Sequence, residues 1–279
     1  MNMLSLGKIG FGGLISGLIL NNVIERQMNN PDIEIYEPVD TVSVVIPCYN
    51  EESFIETTLL SLIGQSIINE YPEYFEIVLA NNNSTDNSVA IAENYVDKVI
   101  NVNQKGKLYA RNEGINAASG NIIVAADADI YFPSSWLNTL LEPFNNIHSS
   151  TYDANISGST GSVFNPDIPG IPVQLYNIAQ FLDKRFVHTT VISGANSAFW
   201  KHKYYQIGRF NENFNQMSIN EMHYEEENKF GKELSKLGKI VYKLNASCLH
   251  LGGRRTGCRI GITNKDYCIS QGIGIQRFG

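Results

Sequence analysis

The 279-residue sequence contains no basic run beyond the Arg254-Arg255 pair, and its formal net charge is -7. Nonspecific nucleic-acid binding needs clustered Lys and Arg, so that class is set aside; a polyanionic substrate in a local basic pocket is not. Cysteine is scarce. Cys48, Cys248, Cys258 and Cys268 include no CxxC pair, which argues against a zinc site. Four cysteines in a chain of this length do not make a disulfide scaffold and read as reduced thiols of a cytoplasmic protein. No apolar run reaches bilayer length either. Ile9 to Leu20 (IGFGGLISGLIL) is about half of the roughly 20 residues a spanning helix requires, and no A-x-A-like cleavage site follows it. The expectation is a short helix that packs on the domain or touches a membrane surface peripherally. A Gly-rich phosphate loop with its Lys is also missing after the first strand, which counts against nucleotidyl transfer. There is no internal repeat and no low-complexity tract.

What is present is a globular composition, with 43% hydrophobic and 18% charged residues. Asn29 to Asp40 is polar with two prolines and reads as a linker, which gives an N-terminal segment over 1–40. Val42 to Ile46 is a β-branched run stopped by Pro47. Asn50 is placed to cap a helix whose apolar face carries Phe54, Ile55, Leu59, Leu62 and Ile63. Strands follow at Phe75–Leu79 and Val96–Val102. A helix capped by Ser84-Thr85-Asp86 is expected between them and another over Leu108–Ala118, with Gly120 as a left-handed cap. Ile122 to Ala126 is apolar without alternation, the mark of a strand covered on both faces. Strands alternating with helices predict an α/β fold around a mostly parallel, Rossmann-like sheet, with ligands at the carboxyl ends of its strands. Further on, Ile156–Val163 and Lys239–Leu244 read as strands, and Val173–Phe186 and Glu225–Leu237 as helices.

Asp127 and Asp129 follow that buried strand directly. In extended backbone, residues two apart point the same way, so the carboxylates repel each other unless a cation lies between them. A hard divalent ion with oxygen ligands resolves the conflict. Polar, solvated aspartates at a loop start would give the same pattern, and DxD alone is a weak signal.

The context is stronger than the motif. Pro47-Cys48-Tyr49-Asn50-Glu51 ends the first strand and Asn81-Asn82-Asn83-Ser84-Thr85-Asp86 ends the second; KGKLYARNEGINAASG runs from Lys105 to Gly120, and Asp127-Ala128-Asp129 comes next. In this order, from about Thr41 to His250, the chain resembles the family 2 glycosyltransferases with the GT-A fold. The resemblance implies a single GT-A domain over 41–262 and a C-terminal tail over 263–279. It implies that Pro47, Tyr49 and Glu51 line a nucleotide pocket and that Lys107 and Arg111 lie near the nucleotide and the acidic loop. Asp127 would face the ribose and metal, and Asp129 would bind Mn²⁺ or Mg²⁺ directly, with His250 as a further ligand. Arg111 could equally pair with an acidic neighbour inside the fold. Gly194 and Asn196, in Ser193–Phe199, match the family's acceptor-side segment, where small residues let a sugar approach. Arg254 sits beside glycines in a loop suited to gripping a diphosphate. Glu226 and Glu227 match the family's acidic pair, with Glu227 the expected catalytic base; three glutamates at a helix start also suit the helix dipole.

One departure concerns the base. Family members carry Asp at position 81 or 82, where this chain has Asn81 and Asn82. An amide offers a donor and an acceptor, which matches the uracil edge better than the paired donors of guanine, so the reading leans towards UDP. The expected activity is transfer of a sugar from a nucleotide-sugar donor to the hydroxyl of a carbohydrate, lipid-linked or other acceptor, with inversion. Retaining transfer, nucleotidyl transfer and a degenerate, non-catalytic sugar-nucleotide binder stay open as alternatives.

Overall fold

The computed structural model describes residues 35–145, 155–164, 192–212, 228–243 and 245–251. Among these, the chain runs β1 (Val42–Cys48), α1 (Ile55–Ile63), α2 (Ser66–Glu70), β2 (Phe75–Asn81), α3 (Ser88–Ala92), β3 (Lys98–Asn101), α4 (Lys107–Ala117), β4 (Ile122–Ala126) and β5 (Ile130–Tyr131). It continues through α5 (Trp136–Asn145), β6 (Ile156–Thr160), β7 (Val163–Phe164), β8 (Asn196–Trp200), α6 (Lys201–Gln206), α7 (228–235), β9 (Lys239–Tyr242) and β10 (Cys248–His250). The expected helix at Val173–Phe186 and the apolar segment at Ile9–Leu20 lie outside the described residues. Among the described residues no helix is long and apolar enough to cross a membrane.

Seven strands form one sheet in the order β3-β2-β1-β4-β8-β6-β9. β3, β2, β1 and β4 run parallel, β8 is antiparallel to both β4 and β6, and β9 returns parallel to β6. The β-branched residues of β1 feed both faces, as strand alternation requires. Val44 and Ile46 join Leu59 and Leu62 of α1 and Trp136 and Leu140 of α5 in one apolar layer. Val45 joins Leu108 and Ile115 of α4, with Phe199, Phe230 and Leu234, in the other. Each fully buried Val, Ile or Leu contributes about 1.5–3 kcal/mol relative to an exposed one. Helices on both faces of a mostly parallel sheet make a three-layer α/β architecture.

Four local expectations are corrected. β1 does not stop at Pro47. It runs on to Cys48, because Pro47 pairs only with Ala80 of β2, while the β4 ladder ends at Val45 and Ala125. A proline that needs no second ladder is tolerated there. Asn50 does not cap α1, whose N-cap is Phe54 without a side-chain bond. Gly120 is not a left-handed cap. α4 ends on Ala118 in an extended conformation, and Gly120 instead lets two backbones meet: a Cβ there would lie 2.6 Å from the Ser43 nitrogen. The expected strand at Ile156–Val163 is two strands, β6 and β7, that belong to different sheets. A small second sheet, β5-β10-β7, sits beside the end of β4.

Candidate active site

The carboxyl ends of β1, β2 and β4 lie side by side, and each carries one of the sequence blocks. The loops after β1 and β2 are laced together. The Thr85 N–H donates to Asn50 Oδ1 at 2.8 Å, and the Asn50 N–H donates to Ser84 Oγ at 3.1 Å. The Glu51 N–H donates to Ser88 Oγ at 2.7 Å. Asn50 adopts φ 52, a left-handed backbone that Asn tolerates better than most residues. Asp86 rather than a cap residue closes the start of α3: its Oδ1 accepts from the Ser88 N–H at 3.0 Å. Pro47 and Glu51 are buried beneath this lacing, whereas Tyr49 is 43% exposed and turns its ring outward.

The three consecutive asparagines fold back on the chain after β3. Asn82 is buried; its Nδ2 donates to the Gln104 carbonyl at 2.7 Å and its Oδ1 accepts from the Gly106 N–H at 2.8 Å. Asn83 Nδ2 donates to the Val102 carbonyl at 2.9 Å. Asn82 therefore shapes the loop that delivers α4, and the base-reading role expected of Asn81 or Asn82 narrows to Asn81. Asn81 Nδ2 donates to Asn101 Oδ1 at 2.8 Å, while Asn81 Oδ1 accepts from the Ser84 N–H at 2.9 Å. These bonds fix which way the amide points and leave it one further N–H and one further lone pair.

The acidic loop is held from several directions. Thr58 of α1 donates to the Ala128 carbonyl at 2.9 Å, and the Leu251 N–H donates to the Asp129 carbonyl at 2.7 Å. Lys107 Nζ lies 2.8 Å from Asp127 Oδ2 and Arg111 Nη2 lies 3.0 Å from Asp127 Oδ1. Asp127 and Asp129 thus have different partners. Asp127 is charge-paired with two cations, and Asp129, 3% exposed, turns toward His250, 6% exposed. Antiparallel pairing of β10 with β5 sets His250 opposite Ile130 and leaves its Nε2 3.6 Å from Asp129 Oδ2.

That separation exceeds a normal hydrogen bond. It falls inside the roughly 3–4 Å that two ligands span when each stands about 2.1 Å from one ion. A carboxylate oxygen with an imidazole nitrogen is a donor pair that Mn²⁺ accepts well and Mg²⁺ less well. The pair fits a divalent cation. Among the described residues no group of three or more His, Cys, Asp and Glu side chains gathers around one point, so a cation at this pair would need further donors.

Two expected contacts are placed elsewhere. Asn196 is 0% exposed: its Oδ1 accepts from Trp136 Nε1 at 2.9 Å, and its Nδ2 donates to the Ser162 and Ala246 carbonyls. It ties β8 to the strands around it and presents no polar atom to a sugar. Gly194 is buried against the Arg111 guanidinium. Glu226, Glu227 and Arg254 lie outside the described residues. Sequence reasoning overlooked Thr58, although a lone hydroxyl among the buried residues Ile55, Leu59 and Leu62 of α1 was a legible signal. It also overlooked Asn101, for which an exposed position at the end of a short strand gave no sign.

Comparison with known proteins agrees with this fold. Over 109 residues the chain is 37% identical to the uncharacterized glycosyltransferase EpsJ of Bacillus subtilis (strain 168), covering 37% of this chain and 30% of that protein. Over 170 residues it is 26% identical to a Methanococcus voltae dolichyl N-acetyl-alpha-D-glucosaminyl phosphate 3-beta-D-2,3-diacetamido-2,3-dideoxy-beta-D-glucuronosyltransferase, covering 58% of this chain and 48% of the relative. The chain spans less than half the length of these two relatives. In fold it is similar to a mannosyltransferase from Pyrobaculum calidifontis in complex with GDP-Man and Mn²⁺, with TM-score 0.57 and 18% identity over 88% of this chain and 69% of that one. It is also similar to S. aureus TarS 1-349 in complex with UDP-GlcNAc, with TM-score 0.54 and 20% identity over 72% of this chain and 55% of that one. The architecture is accordingly that of the GT-A glycosyltransferases. Residues 43–220, well over half of the chain, match the profile of glycosyl transferase family 2, and the protein belongs to that family.

Proposed function

We propose that this protein transfers a sugar from a nucleotide-sugar donor to an acceptor hydroxyl, with UDP as the preferred nucleotide and with inversion at the anomeric carbon. The observation that carries the reading is the pairing of Asp129 with His250 at 3.6 Å, beside Asp127 and Lys107, at the carboxyl end of parallel strands. Asp129 and His250 would hold Mn²⁺ or Mg²⁺, and a cation there would neutralise charge on the leaving nucleoside diphosphate. Lys107 keeps a quarter of its side chain exposed and can extend to a phosphate. Tyr49 offers an exposed ring to the base, and the remaining donor and acceptor of Asn81 suit the uracil edge. Glu227, with Glu226 beside it, is assigned to take the acceptor's proton, and Arg254 to grip the diphosphate. The Methanococcus voltae relative is named for a dolichyl-linked sugar phosphate acceptor, which supports a carbohydrate or lipid-linked acceptor here. A peripheral membrane contact through Leu4–Leu20 would suit such an acceptor.

Calorimetric titration with UDP and GDP, with and without EDTA, tests the core of this reading. UDP should bind more tightly than GDP, and EDTA or Asp129→Ala should each abolish most of the affinity. Equal UDP affinity in all three conditions would remove the cation from the site, and preference for GDP would reverse the assignment of Asn81.

A further inference from the structure

Arg111 has almost no access to solvent, its side chain being 1% exposed. A guanidinium in that position is costly unless counter-charge and packing compensate it. Both are supplied. Its Nη2 donates to Asp127 Oδ1 at 3.0 Å, and its guanidinium lies 5.5 Å from the centroid of the Phe210 ring. On another side the Gly194 backbone closes over it, so tightly that a Cβ there would come within 2.5 Å of Arg111 Nη1. Lys107 differs in kind. It holds the other oxygen of the same carboxylate at 2.8 Å while remaining 25% exposed. Of these two cations on one carboxylate, Lys107 is the outer one, placed to turn to a ligand, while Arg111 is enclosed.

We propose that Arg111 is a positioning residue: it fixes the Asp127 carboxylate from beneath and acts on the donor through Asp127 without touching it. The missing side chain at Gly194 is what leaves the guanidinium its place. The inference rests on the donor-binding reading of this site and changes the expected role of two of its residues. Lysine cannot substitute at position 111, because a point charge on a flexible stem does not reproduce a planar fork that stacks on one group and bonds another.

A mutant cycle tests it. UDP binding in the presence of Mn²⁺ is measured by calorimetry for the wild type, Arg111→Met, Asp127→Asn, Gly194→Ala and the Arg111→Met/Asp127→Asn double variant, with thermal melts to show that each is folded. Arg111→Met and Gly194→Ala should each weaken binding, and should lower kcat/KM by roughly the 10²-fold that a misplacement of about 1 Å costs. The double variant should be no weaker than Asp127→Asn alone, since residues that act as one unit are not additive. Losses that multiply would show an independent contact with the donor and overturn the proposal, as would a Gly194→Ala protein with wild-type affinity. Should Arg111→Met fail to fold, Arg111→Lys and Gly194→Ala in the Asp127→Asn background close the same cycle. A wild type that binds neither UDP nor GDP would take away the donor reading itself, and this role with it. Binding by the wild type with multiplicative losses would take away only the role of Arg111.

Discussion

Cys48 shows how much a single position can reveal. It ends β1 directly under the candidate nucleotide pocket, and a buried thiol there invites a reactive role. Burial first, and the nearby Glu51 carboxylate second, push its pKa up to about 12, so the thiolate needed for nucleophilic chemistry is absent at neutral pH. The folded state holds this proton more tightly than the unfolded chain does. The stabilisation is complete below the ordinary thiol range of roughly pH 8.5 and is lost as pH rises towards 12. Two outcomes are expected: Cys48 resists iodoacetamide at pH 8 until the protein is denatured, and Cys48→Ala flattens the loss of stability between pH 8 and pH 10. Rapid native labelling, followed by mass spectrometry of the Cys48 peptide, would contradict the first. Glu227 lies outside the described residues, yet its role is equally testable. Glu227→Gln should keep UDP affinity and lose at least the ~10²-fold in turnover that a general base supplies. Near-full turnover in both Glu226→Gln and Glu227→Gln would make the cluster a helix-capping feature. At this scale the sequence offered Asp127 and Asp129 as candidates, because two carboxylates directly after a buried strand repel each other, and the family resemblance added His250. It could not reveal that Asn196 lies inside the core or that Asn82 shapes a loop, since an amide serves as readily in a structural tie as in a ligand contact.

Among the elements, strands were more legible than their ends. β4 occupies the expected Ile122–Ala126, because a five-residue run buried on both faces has no other place to go. β3 shrinks to Lys98–Asn101 and α3 is confined to Ser88–Ala92, since neither carries enough apolar periodicity to fix a boundary. Gly120 was the instructive misreading. A glycine after a helix suggests a left-handed cap, but the demand here comes from a strand distant in sequence, whose Ser43 hydroxyl accepts from the Gly120 N–H at 2.7 Å. Such a demand is invisible to local pattern. Gly120→Ala would drive a methyl into Ser43 backbone, which cannot swing aside, so a loss of about 1–3 kcal/mol is expected, the usual range for overpacking. Urea denaturation at neutral pH measures it. A left-handed cap would instead predict a penalty that Gly120→Asn largely restores, and no such restoration is expected.

For the molecule as a whole, the large sheet keeps its parallel half and its mixed half on opposite sides of β4, and the candidate site joins the end of β4 to the small second sheet. Asp127 and Asp129 come from the loop after β4, and His250 arrives on β10, whose short sheet with β5 and β7 lies against that loop. Ligand binding should therefore stiffen the entire domain. With Mn²⁺ and UDP at about 100 times their dissociation constant, the native state should gain roughly 2.7 kcal/mol, visible as a rise in Tm that either component alone does not reproduce. A rise given equally by UDP alone would separate nucleotide binding from the cation. The fold class was legible from the alternation of strands and helices, because that rhythm is a property of the whole chain. The joining of residues as far apart in sequence as Asp129 and His250 was not, because only the closed small sheet brings them to 3.6 Å. The late position of β10 also has a consequence for synthesis. Domains generally fold from the N-terminus as they leave the ribosome, and the four parallel strands can assemble early. The carboxylate would wait for its imidazole until the chain had emerged past Leu251, so a nascent protein with most of its sheet in place would still lack the Asp129–His250 pair.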